Sequence, residues 1–252
     1  MNLFKSMAIA FAMYSKIPVP IFPWEEKNMK YAICFFPFVG AVIGGLVYFW
    51  YSFCCLKNIS GILFAAVMTA IPVLISGGIH TDGFCDTIDA LSSNQPRERK
   101  LEILKDSNAG AFAVIYCVMY YLLYFGGAHQ FTQTANIIPV CAGFVISRCL
   151  SGLAVQNFKF AKKNSSAAAF KSDKKIINAV LVLILIIAYL FVLSYGIKYG
   201  LACIAASILS FAYYRYMSYK QFGGITGDLA GFFVLICEIS VLYSAIIVSE
   251  VF

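Results

Sequence analysis

The chain has 252 residues, 61% of them hydrophobic and 12% charged, and its mean hydropathy is +0.81. Soluble domains average about 45–50% apolar and about 25% charged residues, so these values exclude a disordered chain and a water-soluble globule. They point to an all-α, polytopic membrane bundle read as a single catalytic domain over residues 1–252. The net charge of +7 fits basic flanks of membrane helices rather than a nucleic-acid partner. Nine cysteines, an odd number with no C-x-x-C pair, argue against a disulfide framework or a zinc site.

In chain order, residues 1–30 read as an interfacial N-terminal segment. A short apolar stretch between Lys5 and Lys16 is followed by Pro18, Pro20 and Pro23, which break any helix before the first span. The stretch ends in Lys16-Ile17-Pro18, not a small-residue cleavage site, so it is not a signal peptide. A spanning helix needs about 20 largely apolar residues, and seven segments qualify: 31–55, 59–79, 109–128, 135–155, 176–195, 199–216 and 230–248. Six spans plus one re-entrant piece is the alternative. Seven spans place sixteen Lys and Arg residues on one side and only Lys57 and Lys198 on the other, with Arg148 inside a span. By the positive-inside rule the N-terminus is then cytoplasmic. The basic loop 156–175 reads as a solvated segment near anionic headgroups, or as a contact for a phosphorylated substrate.

Six of the twelve acidic residues fall between positions 82 and 106. Asp82, Asp86 and Asp89, at i, i+4 and i+7, share one face of a helix. Unpaired like charges at a low-dielectric interface are costly, and a hard divalent cation such as Mg²⁺, shared with substrate phosphates, would relieve them. The competing reading is an acidic loop, residues 80–108, neutralised by Arg97, Arg99, Lys100 and Lys105. Residues 97–106 read as an amphipathic helix, and Asp106-Ser107-Asn108 as an N-cap for the third span, in competition with a metal role for Asp106.

A second polar island, Gly223-Gly224-Ile225-Thr226-Gly227-Asp228, precedes the last span. Its glycines permit close approach to a phosphate at a helix N-terminus, and Asp228 is either an N-cap or part of the acidic site. Arg148 and Glu238 lie inside spans, where charges are paired or functional; they form a structural bridge or reach the substrate. His80 is a proton carrier at the site mouth or a packing residue.

The run Gly77-Gly78-Ile79-His80-Thr81-Asp82-Gly83-Phe84-Cys85-Asp86-Thr87 resembles the G-G-x-H-x-D-G-x-x-D-T motif of the cobalamin synthase family. Arg97-Glu98-Arg99, Leu101-Glu102-Ile103, Lys105-Asp106-Ser107 and Gly110 resemble its next block, and residues 223–228 with Glu238 its C-terminal block. Residues 15–20 and 36–40 also fit. Ala90-Leu91, Asn108-Ala109 and the loop 156–175 depart from the pattern. The resemblance implies a Mg²⁺-dependent transferase of the multi-pass plasma membrane, its active site facing the cytoplasm. A ribose hydroxyl of α-ribazole, or of its 5′-phosphate, attacks the cobinamide-linked phosphorus of adenosylcobinamide-GDP, and GMP leaves. On this reading Asp82, Asp86 and Asp89 hold Mg²⁺, with Asp106 or Asp228 completing the shell. Asp82, Asp86 and His80 carry the chemistry. Arg97, Arg99, Lys105, Arg148, Glu238, Gly223, Gly224, Thr226 and Gly227 contact substrate. A homo-oligomer, or a complex with other enzymes of the same pathway, is the expected protein partner. The rival classes are a CDP-alcohol phosphatidyltransferase, whose Asp-Gly pattern fails at Cys85-Asp86, and a cation-coupled transporter, whose ion sites lie near the bilayer midplane.

Overall fold

A computed structural model describes residues 3–106, 108–131, 136–161 and 173–251. Two short N-terminal helices, α1 (Leu3–Tyr14) and α2 (Glu26–Met29), precede α3 (Ala32–Lys57) and α4 (Gly61–Ser76). Then come α5 (Ile79–Ser92), α6 (Arg97–Ile103), α7 (Ala111–Gln130), α8 (Ile138–Asn157), α9 (Lys174–Ser194), α10 (Ile197–Phe222) and α11 (Gly227–Val251). No strand occurs among the described residues; the nearest thing is a lone parallel bridge between Phe160 and Ile225.

Each of the seven expected spans has its helix. Six are long and apolar enough to cross a bilayer alone. The seventh, α4, has 16 residues, and α5 continues it after a bend of 93°. Backbone contacts show that α4 runs back along α3. It starts beyond the Asn58 cap at the far end of α3, and its Ile75 carbonyl accepts a 2.7 Å hydrogen bond from the Lys16 amide, next to Tyr14, whose ring lies 4.2 Å from Phe36 near the start of α3. The expected span 59–79 therefore ends early: residues from Ile79 onward belong to α5, which lies across the end of the bundle. The sixth span is longer than expected because α10 runs to Phe222, where the chain turns at Gly223.

One face of the bundle collects the ends of many helices. The Asp173 carboxylate, just before α9, accepts hydrogen bonds from Tyr31 and pairs with Lys30 at 2.6 Å, just before α3. Lys159 and Ala161, after α8, exchange backbone bonds with Ile225, just before α11. Lys100 of α6 donates to Gln221 near the end of α10 at 2.7 Å. The N-terminal segment is tied to this same face. Ser6 donates to the Asn28 carbonyl, and the Asn28 amide donates to Pro23. Ala8, Ile9 and Ala10 are buried, so α1 packs against α3 as well as lying along the bundle.

The tightest helix pair is α3 with α8. A Cβ at Gly40 would strike the Phe144 carbonyl, and one at Gly44 the Cys141 carbonyl. Glycines four apart let two membrane helices approach backbone to backbone, where dispersion and interhelical contacts replace the hydrophobic effect. Gly44→Leu is expected to lower stability by at least the ~1–3 kcal/mol typical of overpacking, read as an earlier thermal transition in detergent. The same change at Gly45, which faces open space, should have little effect.

Candidate active site

Ser76, Gly77 and Gly78 make the bend. Gly77 (φ 66°) and Gly78 (φ 81°) both take left-handed conformations, which glycine adopts without a Cβ penalty, and the Val73 carbonyl caps the end of α4. The Lys16 side chain lies over Gly77 so closely that a Cβ there would collide with it. After the bend, α5 buries Gly83, Phe84, Thr87 and Ala90 and turns Asp82, Asp86 and Asp89 outward. The i, i+4, i+7 face read from the sequence is thus a real helix face.

Gly83 is the crossing point of α5 with α11. A Cβ there would lie 2.7 Å from the Asp228 carbonyl and 2.9 Å from its Cα. Gly231, one turn on, passes close to His80 in the same way. This close approach delivers Asp228 to the acidic face of α5. Thr226 is the N-cap of α11, its hydroxyl accepting from the Leu229 amide at 3.2 Å. Asp228 is therefore spared the capping role that was one of its two readings. Partial burial, with Asp82, Asp228, Asp89 and Asp106 nearby, pushes Asp86 up to about 7.

The basic residues of the neighbouring helix are engaged elsewhere. Arg97 packs its guanidinium over Gly223 and reaches the Ala161 carbonyl at 3.5 Å. Arg99 pairs with Glu102 at 2.7 Å, Lys100 is buried against Gln221, and Lys105 is exposed. Among the described residues no Lys or Arg forms an ion pair with Asp82, Asp86 or Asp228, so the reading of a simply neutralised acidic loop is not what the structure shows.

Two carboxylates of the sequence-derived set have structural partners. Asp89 accepts from the Gly110 amide and, at 2.8 Å, from the Ala113 amide. It supplies from α5 the cap that residues 106–108 were expected to supply to the third span. Asp106 instead closes a local turn onto the Asn108 amide and side chain, which lowers its pKa below the usual carboxylate range. Ser107 lies outside the described residues. Among the described residues no three His, Cys, Asp or Glu side chains form a ready-made metal cage.

The glycine island is folded into the protein. Gly223 (φ 71°) lies under Arg97 and Gly224 against the 159–161 backbone, so both are explained by close protein contacts. Gly227 is different: a Cβ there would meet nothing within 4 Å. It borders a cavity of about 540 Å³ lined by α1, Trp24, α2, α3, α5, α8 and α11, with Asp82 and Asp228 on its wall.

Arg148 and Glu238 bind each other, at 2.6 Å, with only 1% and 5% of their side chains exposed. Arg148 also donates to the Phe144 carbonyl, and Ser147 to Glu238. Of their two readings the structure shows the bridge, between α8 and α11. His80 is buried, not at the mouth: its ring lies 5.7 Å from Phe36 and no described residue bonds its Nε2. Lys100, Thr226 and Gln221 were missed as structural residues. For Thr226 the signal is present, a Thr three residues before the apolar run that opens at Leu229. The loop lysines Lys162, Lys163 and Lys171 lie outside the described residues.

Removing one member of the buried pair, as in Glu238→Leu, is expected to cost about 3–5 kcal/mol by stranding Arg148. The double change with Arg148→Met should recover most of this in a denaturation series. Asp89→Ala should cost about 1–2 kcal/mol through the lost cap, whereas Asp82→Ala should leave stability unchanged in the same series.

The description Cobalamin-5-phosphate synthase belongs to the family profile that matches residues 6–246 of the chain. The chain is 47% identical over 241 residues to a protein of Lachnoclostridium phytofermentans named adenosylcobinamide-GDP ribazoletransferase, covering 95% of this chain and 92% of that one. Proteins of the same name from Clostridium botulinum (Alaska E43) and Treponema denticola are 33% and 32% identical, each covering 97% of this chain and 98% of the relative. No solved structure matches. With the acidic helix, the capped start of α11 and all of the seven apolar helices except the last turn of α11 inside the matched region, the chain belongs to the cobalamin-5-phosphate synthase family.

Proposed function

We propose that the protein transfers the cobinamide phosphate of adenosylcobinamide-GDP to a ribose hydroxyl of α-ribazole, or of its 5′-phosphate, releasing GMP. The observation that carries this reading is the gathering of Asp82, Asp86 and Asp228 from two helices with no basic partner among the described residues. The names of relatives that match nearly the whole chain support it. The sixteen-to-two distribution of Lys and Arg supports a cytoplasmic position for this face.

The residues fit a Mg²⁺ ion. Hard carboxylate oxygens are present, and this ion is held by one or two carboxylates together with substrate phosphates rather than by an all-protein cage. Asp82, Asp86 and Asp228 are the residues that would hold it, since Asp89 and Asp106 have partners of their own. Bound there, Mg²⁺ would neutralise charge building on the phosphate oxygens as the diphosphate breaks. One of the three carboxylates accepts the proton of the attacking hydroxyl. The N-terminus of α11, open at Gly227, faces the phosphates with its positive end. In the transfer, the bond between phosphorus and the bridging oxygen of GMP breaks as the new ester bond forms.

The decisive test is release of GMP by lipid-reconstituted protein given adenosylcobinamide-GDP, α-ribazole and Mg²⁺. EDTA is expected to abolish it, and Asp82→Asn to lower kcat about 100-fold, the scale of losing one charge-stabilising group. Full activity of folded Asp82→Asn would overturn the site. Release of CMP from a CDP-alcohol donor, in place of GMP, would move the protein to the phosphatidyltransferase class. Gly227→Ala should keep the fold, because Ala favours helix, while raising KM through a methyl group in the phosphate approach.

A further inference from the structure

The cavity beside Asp82 and Asp228 has a composition of its own. No Lys or Arg lines it, and apart from those two carboxylates, His80, Ser151 and the polar tips of Tyr14 and Trp24 its described wall is apolar or glycine. Along one side Tyr14, Phe36 and His80 form a continuous run of rings, at 4.2 Å between Tyr14 and Phe36 and 5.7 Å between Phe36 and His80. Trp24, on the proline-rich segment, contributes a fourth ring and is half exposed at the rim.

Apart from the N-terminus of α11 at its polar edge, such a wall offers a diphosphate neither cations nor amide donors, and its volume of about 540 Å³ lies in the range of small-molecule sites. A corrinoid macrocycle joined to a guanosine diphosphate is too large and too polar for it. A flat heteroaromatic base suits it in size, in apolarity and in the ring-on-ring contacts the wall offers. The position is also right. A nucleoside with its base among these rings places its ribose at the one polar edge, where Asp82 and Asp228 stand.

We infer that this aromatic chamber binds the base of the acceptor nucleoside, so that Tyr14, Trp24 and Phe36 set which base is accepted. The inference rests on the transfer reading for its choice of ligand. It divides the substrates between two regions: the acceptor enters the apolar chamber, and the nucleotide-activated donor stays outside it, over the acidic face.

Trp24 and Trp50 are the two tryptophans, so Trp50→Phe leaves Trp24 as the sole indole and a direct reporter. Saturable change of its fluorescence by α-ribazole alone, without donor or Mg²⁺, is expected. Val155→Phe and Ala230→Leu, which fill the chamber from α8 and α11, should raise KM for α-ribazole at least tenfold. KM for adenosylcobinamide-GDP should stay within twofold. An unchanged α-ribazole KM in both variants, each eluting as native protein, would overturn the inference and leave the transfer reading intact. Quenching of Trp24 by a bromine-labelled phospholipid that α-ribazole fails to displace would also overturn it, assigning the chamber to an acyl chain. If wild-type protein releases no GMP, the transfer reading fails, and the fluorescence titration still decides what the chamber binds.

Discussion

The site depends on one change of direction. A helix continuing straight from α4 would carry Asp82, Asp86 and Asp89 out past the end of the bundle, each turn farther from α11. The left-handed pair Gly77-Gly78 instead lays α5 across that end, and Gly83 lets it settle backbone to backbone on the first turn of α11. Two short-range features, a glycine pair and a missing Cβ, thus convert a sequence-local acidic face into a junction of two helices. The Lys16 side chain packed over Gly77 couples the same bend to the N-terminal segment, and through it to the wall of the chamber.

The electrostatics follow from that junction. Burial, with the neighbouring carboxylates, pushes Asp86 well above the ordinary carboxylate range. A fold selected only for stability would place the nearby Arg97, Arg99 and Lys100 among them. Each instead serves a protein partner: a glycine and a backbone carbonyl, a glutamate, a glutamine. The buried Arg148–Glu238 pair shows that the fold does match charges in its interior. Leaving the acidic face unpaired is a local violation of charge balance of the kind that accompanies function rather than packing.

Much of this was legible in the sequence because it has a period. Apolar runs of bilayer length gave the seven helices, and the spacing of Asp82, Asp86 and Asp89 gave the acidic face. What periodicity cannot show is which partner a polar group finds across the fold. Asp89 looks identical to Asp82 and Asp86 along the chain, yet its oxygens close the N-terminus of α7, 21 residues away. Arg148 and Glu238, 90 residues apart, offered two roles until their side chains met. The 93° bend was hidden for a related reason: a Gly-Gly pair permits many directions, and the contacts with Lys16 and Asp228 select one. The glycines at 40 and 44 were a readable signal for the α3–α8 contact, their spacing being the one that brings membrane helices close.

The tie between the start of α3 and Asp173 bears on how the protein is assembled. Tyr31 and Asp173 are 142 residues apart, so a chain made from its N-terminus threads α3, α4, α7 and α8 before this contact exists. Closure of such distant contacts is paid for in chain entropy before it is rewarded. The N-terminal segment, first to be made, is therefore among the last parts to be locked from both sides. During synthesis the chamber it walls stays incomplete, and it becomes a defined compartment only once the start of α11, which carries Gly227 and Asp228 of its wall, has followed.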